Sequence, residues 1–195
     1  MAANERNPVK SPSSIKSLLQ EQNERVFKPL GYKIELLKDC NGLVPTLAKW
    51  TYEDWKLYDN SLTVEKLVAG FSHRLNDDKI PLSLVAFKGD KPIGTVSLKE
   101  EKDPAFEDIL KGALWLGSLH VIPEERNKGI GGELLRVAIL MAEQLDYKAV
   151  WLFTSNPLNV EWYQKRGAHL IEKRPFRNHV ITLMKIPLKD SMDSR

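Results

Sequence analysis

At 195 residues, with 42% apolar side chains, the chain is long enough for one domain with a real core and short for two. Lys and Arg outnumber Asp and Glu only 29 to 26, a balance that argues against a nucleic-acid or membrane-surface partner. The single cysteine, Cys40, excludes an internal disulfide and a thiolate zinc cluster, so a reducing, cytoplasmic setting is the expectation, with no signal peptide and no membrane span.

Residues 1–12 read as a disordered lead, rich in Asn, Ser, Pro and Lys. Residues 13–27 carry Ile15, Leu18, Leu19, Gln22 and Val26 at helical spacing, with serines to cap the start and Pro29 and Gly31 to end it. This helix is either a clip packed on the domain or an arm for a partner. Residues 32–37 alternate like a first strand, and residues 43–58 have helical spacing through Leu43, Leu47, Trp50 and Leu57. In residues 63–76, Thr63 can cap a helix whose face is Val64, Leu67, Phe71 and Leu75.

Two β-rich runs follow at residues 82–88 and 93–98, with Lys88-Gly89-Asp90-Lys91 as a hairpin turn between them. Residues 99–113 form a charged connector with a short helical turn expected at 106–110. Residues 114–121, 148–153, 169–171 and 179–184 read as strands, residues 159–166 as a short helix closed by Gly167, residues 173–178 as a turn, and residues 189–195 as a polar tail. The order of elements predicts a mixed α/β domain around a central, mostly antiparallel sheet.

The most informative stretch is Leu114-Trp-Leu-Gly-Ser-Leu-His-Val121 followed by Ile-Pro-Glu-Glu-Arg126-Asn-Lys-Gly129-Ile-Gly131-Gly132. After it, Ile130, Leu134, Leu135, Ala138, Met141, Ala142 and Leu145 share one helical face. The pattern is strand, basic glycine-rich turn, helix. Helix starts leave N–H groups unpaired at the positive end of the dipole, and glycines let an anion come close. Arg126 and Lys128 add charge, so the turn reads as a phosphate or pyrophosphate cradle; the other reading is a plain tight turn. Neither a Walker loop nor a G-x-G-x-x-G dinucleotide fingerprint is present, since Leu134 stands where the third glycine would fall.

Arg126-x-x-Gly129-x-Gly131 after Val-x-Pro resembles the acyl-CoA signature of the GNAT superfamily of N-acetyltransferases. Asn156-Pro-Leu-Asn-Val-Glu-Trp162-Tyr163-Gln-Lys-Arg-Gly167 is similar to a later motif of that superfamily, in the right order and one helix and one strand away. The likeness spans residues 32–188. Trp50 with Trp55, Ile80-Pro-Leu-Ser-Leu-Val85 and Trp115-Leu-Gly-Ser-Leu-His-Val121 are similar to a poorly characterised bacterial-type branch. The resemblance implies a sheet whose 114–121 strand splays from the 148–153 strand, leaving a cleft. Acetyl-CoA would be the acyl donor, with no metal. Its pantetheine would lie along Leu119, His120 and Val121, and its pyrophosphate on Arg126, Asn127, Lys128, Gly129, Ile130, Gly131 and Gly132, with Asn156 also in contact. The first two helices of the resembled fold border the acceptor, so Trp50, Tyr52, Glu53, Asp54 and Trp55 are candidate substrate contacts, although aromatics at helical spacing equally read as core.

The chemistry sets further demands. An acceptor amine is mostly ammonium at neutral pH, with a lysine-like pKa of ~10.4, and must lose a proton before it attacks a thioester. The departing thiolate gains from a nearby acid. Tyr163 fits the acid by its place in the later motif. The 114–121 strand lacks the carboxylate many relatives carry as base; His120 is the remaining candidate, directly or through water, and strand alternation decides whether it faces the cleft. The expected function is acetyl transfer to a small-molecule or peptide amine in a ternary complex, by a monomer or homodimer. The alternative is an acyl-CoA sensor without turnover that acts through a protein partner.

Overall fold

The computed structural model describes residues 14–100, 103–109 and 112–188. The lead at 1–12 and the tail at 189–195 lie outside the described residues, as does the end of the helical turn expected at 106–110. The chain runs α1 (Ile15–Gln22), β1 (Tyr32–Leu36), α2 (Val44–Trp55), α3 (Val64–Ser72), β2 (Leu82–Lys88), β3 (Lys91–Glu100), β4 (Leu114–Val121), α4 (Ile130–Gln144), β5 (Ala149–Thr154), α5 (Pro157–Gln164), β6 (His169–Phe176) and β7 (His179–Pro187). One seven-stranded sheet has the order β1-β2-β3-β4-β5-β7-β6. Every neighbouring pair is antiparallel except β4 and β5, as the mixed, mostly antiparallel class requires.

Both faces of the sheet are covered, so β2 is apolar on both sides. Leu82, Leu84 and Ala86 join the core under α1 and α4, while Val85 and Phe87 point the other way onto Leu47, Ala48 and Phe71 of α2 and α3. The α1 helix is part of that core. Ser14 caps it by accepting from the Ser17 N–H at 3.1 Å, and Ile15, Leu19 and the following Phe27 are buried against α4 and the sheet. Just beyond α1, Asn23 exchanges two hydrogen bonds with the Ile34 backbone of β1, at 2.8 and 2.7 Å, and Gln22 accepts from Arg136 of α4 at 2.9 Å. The N-terminal helix is therefore a clip on the sheet.

The turn expected at 173–178 is a correction. The β6 and β7 strands continue to Phe176 and from His179, and only Arg177 and Asn178 turn. Pro175 reads as a strand breaker in sequence, yet β6 is the outermost strand, where a residue without an N–H costs the ladder nothing. Likewise α5 begins at Pro157 rather than Asn159: Asn156 caps it, accepting from the Leu158 N–H at 3.0 Å, and proline at the first position suits a helix start.

Two irregularities position the site. The parallel pairing of β4 with β5 covers only Leu114 with Val150 and Trp115 with Trp151, after which the strands part. The β4 strand also carries a bulge against β3. Thr95 faces His120 and Ser97 faces Gly117, so β4 has one residue more than β3 over this stretch, and Ser118 takes the left-handed φ of 51°. Arg74, which is buried, holds the bulge by donating to Ser118 Oγ at 3.2 Å and Ser97 Oγ at 3.1 Å.

Candidate active site

The bulge reverses the alternation of β4. Before it, Leu114 and Leu116 face the α4 core; after it, Leu119 and Val121 do. His120 is thereby turned to the opposite face, toward α2. There His120 Nδ1 lies 2.7 Å from Asp54 Oδ2, and its ring stacks on Trp50 with centroids 5.0 Å apart and planes 21° from parallel. A carboxylate only accepts, so the shared proton sits on Nδ1, and Nε2 is the ring nitrogen left for other partners. Gly94 of β3 permits the approach: a Cβ there would stand 2.8 Å from the His120 backbone oxygen.

The parting of β4 from β5 opens a cavity of about 650 Å³ that joins, through Leu119, His120, Val121, Arg126, Asn159 and Tyr163, a second of about 500 Å³ at the start of α4. From Leu116 onward the β5-facing edge of β4 has no strand partner among the described residues, which leaves backbone groups for an extended ligand, although the Val121 carbonyl already accepts from Arg126 Nε at 2.8 Å. At the far end Asn127 and Gly129 both adopt left-handed φ, 60° and 86°, so the backbone curls into a concave nest that runs into the first turn of α4. Gly129 is the residue for which the sequence reading needed glycine; any side chain at that φ is strained.

Most of the expected contact residues line this space: Leu119, His120, Val121, Arg126, Asn127, Gly129, Ile130, Gly131, Gly132 and Asn156, with Asp54 and Trp55 on the α2 side. Three do not. The Lys128 ammonium turns back to the Glu124 carbonyl at 2.7 Å and Glu125 Oε2 at 3.0 Å, so it braces the nest rather than facing the cleft. Tyr52 and Glu53 lie on another face of α2, where Lys56 sits over the Tyr52 ring and pairs with Glu53 at 2.5 Å. Trp50 lies beneath His120 as its stacking partner. Glu125, buried between Lys88 at 3.0 Å and Lys128, has its carboxyl held below the ordinary 4.5 by those two ammonium groups, Lys128 first.

Tyr163 of α5 is buried and lines both cavities. Burial pushes its phenol pKa up, so it stays protonated, and among the described residues no protein group hydrogen-bonds its hydroxyl. The sequence reading missed Arg166, whose guanidinium stacks 3.8 Å from the Trp162 ring centre and lines the nest end. It also missed Asn159, which hydrogen-bonds Thr154 Oγ1 at 3.4 Å, and the rings of Phe153 and Phe176 in the larger cavity. The i, i+4 spacing of Trp162 and Arg166 was the available signal for the first.

The fold that carries this strand edge, nest and helix is matched by known proteins. The family model described as "Acetyltransferase (GNAT) family" matches residues 44–168. A GCN5-related N-acetyltransferase from Kribbella flavida has the same fold, with TM-score 0.63 at 18% identity over 82% of this chain and 99% of that one. A putative acetyltransferase from Salmonella typhimurium, solved with its cofactor acetyl-CoA, aligns with TM-score 0.61 at 15% identity over 85% of this chain and 98% of that one. A GNAT-family acetyltransferase from Streptococcus pneumoniae aligns with TM-score 0.60 at 19% identity over 81% and 99%. No curated protein matches the chain. Since the family match covers more than half of the sequence and its span holds the nest, the parted strands and the Tyr163 helix, the chain belongs to the acetyltransferase (GNAT) family.

Proposed function

We propose that the protein is an acetyl-CoA-dependent N-acetyltransferase that moves an acetyl group to a primary amine by direct attack in a ternary complex. The observation that carries this reading is that His120 and Tyr163 line one continuous space with the β4 edge and the nest. The fit to acetyl-CoA is chemical at three points. The nest and the α4 start offer backbone N–H groups to a pyrophosphate, Arg126 and Arg166 stand beside it as cations, and the β4 edge matches the amide pattern of pantetheine.

A bound acetyl thioester supplies the electrophilic carbonyl and a thiolate leaving group. His120 takes one proton from the acceptor ammonium at Nε2, and Asp54 fixes the ring so that this nitrogen faces the amine and stabilises the imidazolium. Tyr163 gives its hydroxyl proton to the departing sulfur, and the second proton shed by the attacking nitrogen returns to the phenolate directly or through solvent, while the imidazolium releases the first to solvent. Asp54 is a positioning residue. Since His120 supplies a base where β4 lacks a carboxylate, the transferase reading is favoured over a sensor without turnover.

Calorimetry with acetyl-CoA and a free-thiol release assay over pooled primary amines test the proposal. A Cβ at Gly131 makes only ordinary 3.7 Å contacts, so Gly131→Glu should fold, yet weaken acetyl-CoA by at least about tenfold through bulk and like charge. Undiminished binding in that variant, or binding with no thiol release over any pool, overturns the reading; the second result leaves the non-catalytic sensor.

A further inference from the structure

Beyond His120 the larger cavity ends in a wall of rings. Trp55 meets Phe153 edge-on at 5.5 Å and Tyr58 at 5.8 Å, and Phe153 packs on Phe176 at 5.3 Å. The carboxylates at this end are already engaged. Asp54 holds His120. Asp59 accepts from the Ser61 N–H at 2.9 Å and the Ser61 hydroxyl at 2.7 Å and faces Arg177 Nε at 3.5 Å. Asp103 caps the Ala105 N–H at 2.9 Å and accepts from Arg177 Nη2.

Arg177, at the tip of the β6–β7 hairpin, thus clamps the hairpin to the loop after α2 and to the segment before β4. His179 adds a second tie by donating from Nε2 to the Leu57 carbonyl at 3.0 Å, with its ring edge-on to Tyr58 at 4.8 Å. Three chain segments meet there and together wall this end of the cavity.

We infer that the acceptor is a small monoamine carried on an aromatic or flat apolar body, and is neither a polyamine nor a lysine of a larger peptide. The inference rests on the acetyl-transfer reading of the same cleft and deepens it. Ring faces reward a flat apolar body with stacking and burial. A second ammonium would meet the Arg74 and Arg177 guanidiniums in the same cavity, and the Asp59 and Asp103 carboxylates are already paired with Arg177. A peptide would need the clamp to open.

The test is calorimetry on the full chain loaded with coenzyme A, with phenethylamine, spermidine and a lysine pentapeptide as probes, in parallel with thiol release from acetyl-CoA. Phenethylamine should bind at least about tenfold more tightly than either other probe. Trp55→Ala should lose about tenfold or more of that affinity, Trp55→Phe should recover most of it, and coenzyme A affinity should not move in either variant. Arg177→Ala, which takes the cation away from Asp59 and Asp103, should raise spermidine affinity by about tenfold. The inference is overturned if spermidine or the peptide binds as tightly as phenethylamine, if phenethylamine does not bind measurably, or if Trp55→Ala binds it as wild type does. Aromatic preference with no thiol release would sustain the pocket and sink acetyl transfer. Thiol release driven best by spermidine would sustain transfer and sink the pocket.

Discussion

Asp54 and His120 stand 66 residues apart in the chain and 2.7 Å apart in the structure, joining α2 to β4 at the point where the bulge has turned the imidazole to the cleft. His120→Ala should lower kcat by ~10²–10⁴, the usual worth of a general base, with acetyl-CoA affinity nearly unchanged. Asp54→Ala should cost on the order of 10- to 100-fold in kcat, the usual effect of removing a histidine's outer hydrogen-bond partner. Added imidazole should restore part of the His120→Ala loss. If both variants only lower the melting temperature and leave kcat alone, the pair is a structural tie between helix and strand.

The proposal makes the Tyr163 hydroxyl the second group that moves a proton. Tyr163→Phe keeps the ring that packs edge-on to Trp162 at 5.0 Å, so the fold should survive. Steady-state assays should show a ~10²–10⁴ fall in kcat with little change in acetyl-CoA binding. A fall of less than about threefold would move the acid elsewhere, because the range for such a group starts well above that.

Glu125 ties the nest to the sheet through Lys128 and Lys88, and these ammonium groups hold its carboxyl below the ordinary 4.5. A depressed carboxylate contributes stability that is present above its unfolded value and is lost as pH falls through the folded one. Glu125→Gln should therefore melt lower than wild type at neutral pH, and the gap should begin to close as the pH drops below the ordinary 4.5 and vanish below the lowered folded value. Thermal melts at neutral and acid pH decide it; a gap that persists in acid would mean that Glu125 acts through packing.

Removing residues 1–30 should destabilise the domain. Ile15, Leu19 and Phe27 are buried in the main core, and each such side chain is worth ~1.5–3 kcal/mol against exposure, partly offset by the entropy of ordering the helix. A melting temperature lowered by more than about 5 °C is expected for the shortened chain. An unchanged melt would show α1 to be an independent appendage.

Gly94→Ala places a Cβ 2.8 Å from the His120 carbonyl oxygen and 3.1 Å from Leu134 Cδ1. Backbone has to move, at a cost of ~1–3 kcal/mol, and the movement is at His120 itself. Both stability and kcat should fall, while acetyl-CoA affinity, set largely at the nest, should fall less. A variant with wild-type kcat would show that the imidazole position tolerates the shift.

Local pattern carried much of the result. Helical spacing in residues 130–145, the hairpin at Gly89 and Asp90, the apolar run of 114–121 and the glycine turn at Arg126-x-x-Gly129-x-Gly131 each depend on residues close in sequence, where side-chain period and backbone φ preference are legible. Four matters were settled only by contacts between distant segments. Plain alternation from Leu114 and Leu116 puts His120 under α4; the bulge at Ser118, held by Arg74 from another element, puts it opposite Asp54. Lys128 looked like a ligand-facing cation and is spent on Glu125. Pro175 looked like a turn and lies in a strand, because β6 is an edge. The ring wall of the larger cavity draws on Trp55, Phe153 and Phe176, and no window of the sequence contains all three. Periodicity records which face a residue presents to its own element, whereas a one-residue bulge or a strand's place in the sheet is set by the free energy of the whole packed sheet.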